Sequence, residues 1–365
     1  AHALVVPQAD LPALRIVEGC GLRGLVRLSE LAEPACTPVA ATAQVGTSHA
    51  GQSAAGEPVD PAGVAGLDLA DVRGQWQARR ALVIAAAGGH AMLMCGPPGS
   101  GKSMLAQRLP GLLPALSREE SLEVAAIAAV ARTQMPHGPR ESRPFRAPHH
   151  TASAHAIVGG GVAVRPGEVS LAHHGVLFLD ELPEFDRRVL EALREPLESG
   201  SVSVVRANQR AQYPARFQLV AAMNPCPCGR AGQVRPRCEC PPQKIKHYRA
   251  RISGPLLDRI DLQLSLPAVD AEALAAVDLR AAGDCITSAQ ARAMVAAARD
   301  RQLHRQGVCN ARLGPAETLQ HCRAEAAGMQ LLRRAVENQG HSARAQHRIL
   351  RVARSIADLD SREQV

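Results

Sequence analysis

Aromatic residues are nearly missing from this chain: 365 residues contain one Trp, two Tyr and four Phe. Large rings cannot carry the interior, so the 46% hydrophobic fraction must build its cores from Ala, Leu and Val. Lysine is scarce as well, and Arg supplies most of the 42 basic residues. No run approaches eighteen uninterrupted apolar residues, which excludes an evident membrane helix. The first residues lack the basic, apolar, small-residue order of a signal peptide, so a cytoplasmic protein with no membrane partner is expected. Ten cysteines at this length do not make a secreted disulfide scaffold, and four of them crowd between 226 and 240. The net charge of +8 and a pI near 9.2 favour a polyanionic partner such as nucleic acid. A GC-rich coding sequence would also inflate Arg and Ala.

The length allows two or three domains. Residues 1–33 hold strand-like pieces, Ala3–Val6 and Leu14–Val17, and read as the tail of a domain whose body is missing. Residues 34–63 are Ala, Thr, Ser, Gly and Pro with almost no large apolar side chain, a flexible linker. Order is expected again from Leu67, with a helix over Gln75–Ala87 ending at Gly88-Gly89. Ser117-Arg-Glu-Glu120 forms a capping box that opens a helix to about Ala131. The stretch 136–170, rich in Pro, Gly and His, reads as an inserted hairpin or loop. Asp186 is expected to cap one helix running to about Ser199, and Val202–Val205 with Gln212–Arg216 flank a polar turn as a β-hairpin. From Thr287 the pattern is helical, with Ile349, Val352, Ile356 and Leu359 at spacings of three and four. Strands alternating with helices, then helices alone, predict a parallel-sheet α/β core over 64–268 and an α-helical lid over 269–365.

What is present is a phosphate-binding loop. Gly96-Pro97-Pro98-Gly99-Ser100-Gly101-Lys102-Ser103 spells GxxxxGK[ST], the Walker A pattern. Its glycines let backbone N–H groups surround phosphate oxygens; Lys102 is placed for the β/γ-phosphates of ATP and Ser103 for Mg²⁺. The apolar run His90–Cys95 before it reads as a buried strand, and Met104–Leu109 after it opens a helix whose dipole faces the phosphates. Val176-Leu-Phe-Leu-Asp180-Glu181 supplies the partner. There Asp180 would complete the Mg²⁺ shell and Glu181 would orient the attacking water. Asn224 ends a further buried strand, Phe217–Met223; in ATPases of this layout a polar residue there meets the γ-phosphate or the lytic water. Arg259 and Arg344 are candidates for offsetting transition-state charge, although both could be ordinary surface arginines.

Cys226-Pro-Cys228 and Cys238-Glu-Cys240 form CxC-x9-CxC. Four thiolates can close a tetrahedral structural Zn²⁺ site, with reduced free thiols or disulfides as alternatives. The other six cysteines read as small core residues. His149-His150 and His173-His174 read as loop or hairpin residues rather than metal ligands. Around the predicted hairpin turn, Arg206, Arg210 and Arg216 could meet DNA phosphates without reading bases. Tyr213 and Phe217 are too few to stack bases. The bland alternative is that these arginines keep an exposed hairpin soluble.

With these pieces in order, the chain resembles AAA+ ATPases of the magnesium-chelatase-like group, and specifically the YifB/ComM family, over about residues 64–360. The resemblance rests on Gly96–Ser103, Arg143–Ser153, Gly175–Phe185, Ala221–Gly229, Tyr248–Leu262 and Ser342–Leu359. It implies an AAA+ core with two β-hairpin inserts, one in 141–170 and one before the Asn224 strand, plus the helical lid. It also implies a hexameric ring, with Arg259 as the finger acting across subunits and Arg344 as the second sensor. ComM-type members are ATP-driven motors on branched DNA in natural transformation and recombination. The family carries a Lon-protease-like domain at its N-terminus, of which 1–33 resemble a remnant. Trp76 and Ala91 depart from polar residues expected near the nucleotide. The competing readings are a magnesium-chelatase-type ATPase subunit and a nucleotide-switched regulator that needs no DNA.

Overall fold

The computed structural model describes residues 3–7, 21–25, 66–131, 142–161, 164–206, 209–233, 237–268, 286–339 and 343–365. The chain divides into two units, Ala1–Ala55 with Leu116–Glu141, and Gly56–Ala115 with Ser142–Val365. The first unit holds two strands, β1 (Ala3–Pro7) and β2 (Gly21–Leu25), paired in parallel, and a helix over Arg118–Ala131. The expected capping box is formed: Ser117 Oγ accepts from Glu120 N at 3.2 Å, and Glu120 accepts from Ser117 N at 3.1 Å. The expected strand Leu14–Val17 and the linker 34–63 lie outside the described residues.

The second unit is built on a parallel sheet. Its strands are β3 (Met92–Cys95), β4 (Phe145–Arg146), β5 (Val176–Leu179), β8 (Gln218–Met223) and β9 (Leu262–Ser265). They lie in the order β9-β3-β8-β5-β4, every neighbour parallel. The three central strands are near-continuous apolar runs because helices cover both faces. Side chains alternate between two cores. Met92, Met94, Phe178 and Val220 face one, with Leu82, Leu105 and Leu109; Leu93, Leu177, Leu179 and Leu219 face the other, with Val189, Leu193 and Leu256. Helix α1 (Trp76–Gly88) precedes β3, and α2 (Lys102–Leu112) follows it.

Four expectations are corrected. The stretch read as an inserted hairpin or loop also supplies a sheet strand: β4 pairs with β5, and Phe145 stacks on Phe178 at 6.2 Å. Among the described residues of that stretch, one short antiparallel pair, Gly159–Gly160 with Arg165–Pro166, is hairpin-like. The single helix expected from Asp186 to Ser199 is two, α3 (Arg187–Ala192) and α4 (Arg194–Ser199). Pro196 explains the break, since it has no N–H and its ring crowds the carbonyl one turn back. Arg259 was expected after the last core strand, but β9 follows it. The predicted hairpin exists with its arms shifted, β6 (Ser201–Arg206) and β7 (Gln209–Pro214).

The C-terminal segment is helical, principally α5 (Ser288–Gln306) and α6 (Ala343–Leu359). Ala291, Val295 and Ala298 of α5 join the core that covers α1 and β3. A buried polar chain fastens α6 to the sheet. His90 Nδ1 meets Asp261 at 2.8 Å, His90 Nε2 meets Ser355 Oγ at 2.7 Å, and Ser355 Oγ accepts from Asn310 Nδ2 at 3.0 Å. No helix among the described residues is long and apolar enough to cross a membrane.

Candidate nucleotide site

Three adjacent strands end together, and the residue after each end is one the sequence singled out. Gly96 follows β3, Asn224 follows β8 and Asp180 follows β5. Because β8 lies between the other two, Asn224 stands between the phosphate loop and the carboxylates. Ligands of open α/β sheets bind at such carboxyl ends. Gly96 N donates to Met223 O at 3.1 Å, tying the loop to the central strand. Gly99 and Gly101 take φ of 77° and 87°, which favours glycine. At Gly96 a Cβ would come within 2.9 Å of the Leu266 carbonyl oxygen.

Lys102 opens α2 and turns back into the loop. Its Nζ donates to Gly96 O at 2.7 Å and Pro97 O at 2.8 Å, and lies 3.4 Å from Asn224 Oδ1. Burial pushes its pKa down, while Asp180, Cys95 and Glu181 oppose that shift. Ser103 Oγ donates to Asp180 Oδ2 at 2.8 Å, and Asp180 Oδ1 accepts from Glu181 N at 2.9 Å. Two hard oxygen donors thus converge from different elements, a set that suits Mg²⁺. Glu181 is half exposed and sits in the left-handed region at φ 52°, a strained position for a non-glycine residue.

Sequence reasoning missed the partner of Glu181. His150 Nδ1 lies 3.3 Å from Glu181 Oε2. His150 also packs at 4.1 Å on His149 and edge-on to Phe185. The usable signal was that Pro-His-His-Thr lies just after Phe145-Arg146, the segment that pairs with the Asp180 strand.

The Cys loop abuts this site. The four Sγ atoms of Cys226, Cys228, Cys238 and Cys240 all lie within 4.8 Å of one another. Cys226 is 3.3 Å from Cys228 and 3.7 Å from Cys238, and Cys228 is 3.6 Å from Cys238. A tetrahedral zinc with bonds of about 2.3 Å needs sulfurs roughly 3.8 Å apart, so the four thiols fit a zinc ion. All described cysteines are free, which sets aside the disulfide alternative for these four. Ala231 N donates to Cys226 Sγ at 3.2 Å. The Arg230 backbone N–H, then the Cys226 thiol, bring Cys228 down to about 6. Cys238 is stabilised as thiolate by the Cys240 N–H, yet desolvation and the Cys228 and Cys226 thiols push it up to about 12. Gly229, at φ 77°, presses on the phosphate loop: a Cβ there would meet Pro98 Cδ at 2.6 Å. Among the six scattered cysteines, Cys322 is buried in the lid and Cys95 and Cys309 are half-buried.

Arg259 and Arg344 are not brought to Lys102. Arg259 precedes β9, so it lies at the opposite, N-terminal edge of the sheet, about 13 Å of strand away from the phosphate end. There Glu198, on α4, takes Arg259 Nη2 on one carboxylate oxygen and Arg344 Nη2 on the other, the latter at 2.8 Å. The two arginines, expected at separate stations, share one. Ala91 lines a cavity shared with Glu198, Arg259 and Arg344 rather than the phosphate loop, a consequence of preceding β3 instead of following it. Trp76 is exposed at the start of α1, next to Gln75, whose amide donates to Pro267 O at 2.8 Å. In the hairpin, β6 ends on Arg206 and β7 carries the exposed Arg210, which pairs with Val205.

Comparison with known proteins places this arrangement. The magnesium chelatase subunit ChlI pattern matches residues 68–274, and the ChlI C-terminal pattern matches residues 286–365. The competence protein ComM of Haemophilus influenzae is 49% identical over 299 residues, 82% of this chain and 58% of that protein. The Escherichia coli protein YifB is 50% identical over 293 residues, 80% of this chain and 57% of its own length. A Mycobacterium tuberculosis protein is 43% identical over 366 residues, 99% of this chain and 69% of its own. The chain thus spans a little over half the length of ComM and YifB. It belongs to the magnesium-chelatase family of AAA+ ATPases, in the YifB/ComM branch.

Proposed function

We propose that this chain is the motor part of an ATP-driven machine that moves single-stranded or branched DNA, a ComM-like branch-migration helicase acting in the cytoplasm. The observation that carries the reading is the convergence of Lys102, Asn224, Ser103, Asp180 and Glu181 at the ends of three adjacent strands. ATP would lie in the loop Gly96–Ser103, with Lys102 on its β/γ-phosphates. Ser103 and Asp180 would hold Mg²⁺, which neutralises charge developing on the phosphates when bound. Glu181 orients the attacking water and takes its proton, with Asn224 fixing the γ-phosphate side. His150 holds the Glu181 carboxylate to one direction. Cys226, Cys228, Cys238 and Cys240 would hold a structural Zn²⁺ that braces Asn224 and the phosphate loop.

Since Arg259 and Arg344 sit at the far edge of the sheet, they act on the nucleotide of a neighbouring copy, as a hexameric ring provides. In the ring the β6–β7 hairpin faces a channel, where Arg206 and Arg210 meet phosphates. We take 64–268 as the ATPase core, 269–365 as the lid and 1–33 as part of a Lon-protease-like domain.

The test is ATP turnover with and without single-stranded and forked DNA. Turnover stimulated by DNA, with binding that weakens steeply with salt, is expected. Lys102→Ala should lose nucleotide binding, while Glu181→Gln should bind ATP and retain it unhydrolysed. Parent-rate hydrolysis by Glu181→Gln would remove the assignment of the base. Turnover indifferent to every nucleic acid would favour a nucleotide-switched regulator, and ATP-dependent stimulation of a porphyrin chelatase would favour a chelatase subunit.

A further inference from the structure

Glu198 makes contacts that no step of ATP hydrolysis requires. Its two carboxylate oxygens are divided between two guanidinium groups that come from distant parts of the chain, Arg259 before β9 and Arg344 at the start of α6. A forked anion bridging two arginines has the charge and the acceptor pattern that phosphate oxygens would present to them. The contact is not a buried structural pair, for the Glu198 and Arg344 side chains are 55% and 51% exposed. Arg259 is better covered, at 13%. Its Nη1 is anchored on Pro255 O at 2.7 Å, while its buried Nε has no partner among the described residues. The cavity beside them, about 660 Å³, is also lined by Arg216, Arg351 and Asp261. Asp261 is already engaged by His90 at 2.8 Å, so Glu198 is the carboxylate that occupies both candidate arginines.

A second observation concerns where Glu198 is mounted. It lies three residues before β6 on α4, whose C-cap is Gly200 in the left-handed region at φ 69°. The joint is stiff. Ser199 Oγ lies 3.0 Å from Glu195 O and 2.9 Å from Ser201 O, which share its one O–H, and it accepts from Ser201 N at 3.2 Å, bridging helix and strand. Ala215 N donates to Gly200 O at 2.8 Å, closing the base of the hairpin on the same residue. A Cβ at Gly200 would come within 2.9 Å of Arg216 Cγ, so the joint has little room to rearrange. The base of the β6–β7 hairpin is therefore hydrogen-bonded to the turn that carries Glu198.

We propose that Glu198 is a placeholder for a neighbouring copy's γ-phosphate, and that the β6–β7 hairpin is the lever that withdraws it. With the hairpin free, Glu198 keeps Arg259 and Arg344 together but neutralised. When polymer pulls the hairpin, the carboxylate leaves and both arginines turn to the phosphate. This couples DNA held by one subunit to ATP held by the next, and it rests on the reading that the two arginines act across subunits.

The experiment measures ATP turnover of Glu198→Gln and Glu198→Ala, with the parent and Arg259→Ala alongside. Each is assayed without DNA and with a single-stranded oligonucleotide, at concentrations where the parent is assembled, and circular dichroism checks the fold. The DNA-free rate should rise about tenfold in Glu198→Ala, the equivalent of one lost charge-assisted hydrogen bond, and less in Glu198→Gln. The ratio of DNA-stimulated to DNA-free turnover should fall towards one. A DNA-free rate at or below the parent's in both variants overturns the placeholder. A raised DNA-free rate with an unchanged ratio, or a parent that DNA does not stimulate, overturns the lever. If Arg259→Ala turns over like the parent, the reading of arginines acting across subunits fails and takes Glu198 with it. If Arg259→Ala is inactive while both Glu198 variants match the parent, only the inference about Glu198 fails.

Discussion

Asp358 and Glu198 each hold two arginines, one in the lid interior and one at the sheet edge. Asp358 is 1% exposed and takes Arg305 at 2.7 Å and Arg354 at 3.0 Å, with Asn310 Nδ2 adding a bond at 2.8 Å. Glu198 is 55% exposed, and its two arginines fill both of its oxygens. Around Asp358, water cannot replace a lost partner, so removing one group strands a charge in a low dielectric. Around Glu198, water can. The first cluster joins Ser355 and His90 in fastening the lid to the sheet; the second can be given up and remade within a reaction cycle.

The comparison is broken most sharply through Arg259. Arg259→Ala should lower ATP turnover by about a thousandfold, the lower range for an arginine finger, while the urea midpoint barely moves. Loss of stability in step with activity would make the Glu198 cluster structural after all. Asp358→Asn should do the reverse. It should cost about 3–5 kcal/mol of stability, as breaking a buried pair does, with activity falling only as the protein unfolds. A cost under about 1 kcal/mol would show that Arg305 and Arg354 are satisfied by other groups, such as the Arg362 carbonyl that Arg354 already reaches.

A third cluster sharpens the contrast. The four cysteines lie against the phosphate loop through Gly229 and Pro98. We expect about one zinc ion per purified chain, and weakening of ATP affinity by about tenfold when the metal is stripped, the cost of a displaced positioning loop. Metal analysis with a fluorescent nucleotide titration checks both. Unchanged affinity of zinc-free protein, or of a Cys238→Ser/Cys240→Ser double variant, would uncouple the cluster from the site.

How much of this was legible depended on locality. Gly96–Ser103 and Asp180-Glu181 are contiguous, each attached to its own apolar strand, and so the phosphate end of the sheet could be drawn from the sequence. The Cys set was legible for the same reason. The break at Leu193 was hidden because Val189, Leu190 and Leu193 keep helical spacing up to it, and a single proline, Pro196, is what ends the run. β4 was hidden because two residues carry no periodicity; only its pairing with β5 makes it a strand. Glu198 was invisible for a deeper reason. Its partners are 61 and 146 residues away, and an exposed glutamate in a chain with 34 acidic residues has no local mark. His150 is a similar case, named by the sequence as part of a pair but given its place only by β4.

Acid should separate the two carboxylates with a smaller effect. Burial would raise the Asp358 pKa, but hydrogen bonds from Arg305 and Asn310 and the nearby Arg354 outweigh it and hold it below the ordinary value. An unfolded aspartate titrates near about 3.9 and so takes up a proton first. Asp358 therefore contributes its stability fully above that pH, and the contribution is lost as pH falls through the lower folded value. Glu198 is also held low, first by its bond to Arg259, but solvent screens it. Glu198→Gln should leave the fall of the urea midpoint between about pH 5 and pH 3 nearly unchanged from the parent. A visibly flatter acid limb in that variant would place Glu198 among the structural pairs.

The smallest effect is expected at Arg251, which joins Glu184 at 3.0 Å just beyond Glu181, with side chains 40% and 41% exposed. Its distance matches that of the Arg354–Asp358 pair. The Arg251–Glu184 pair differs in exposure, in the number of partners and in joining distant segments rather than one helical turn, and it serves as the exposed control. In water the Coulomb gain is largely offset by hydration and by the entropy of holding two long side chains. Arg251→Ala should therefore cost less than about 1 kcal/mol in urea titration, and the difference from the parent should shrink further in about 1 M salt, where the screening length is about 3 Å. ATP turnover should stay at the parent rate, since Glu181 is set by its own backbone and by His150 rather than by Glu184. A cost above about 2 kcal/mol, or one indifferent to salt, would mean that exposure is not what separates Asp358 from Glu198, and the case for a removable carboxylate would lose its physical footing.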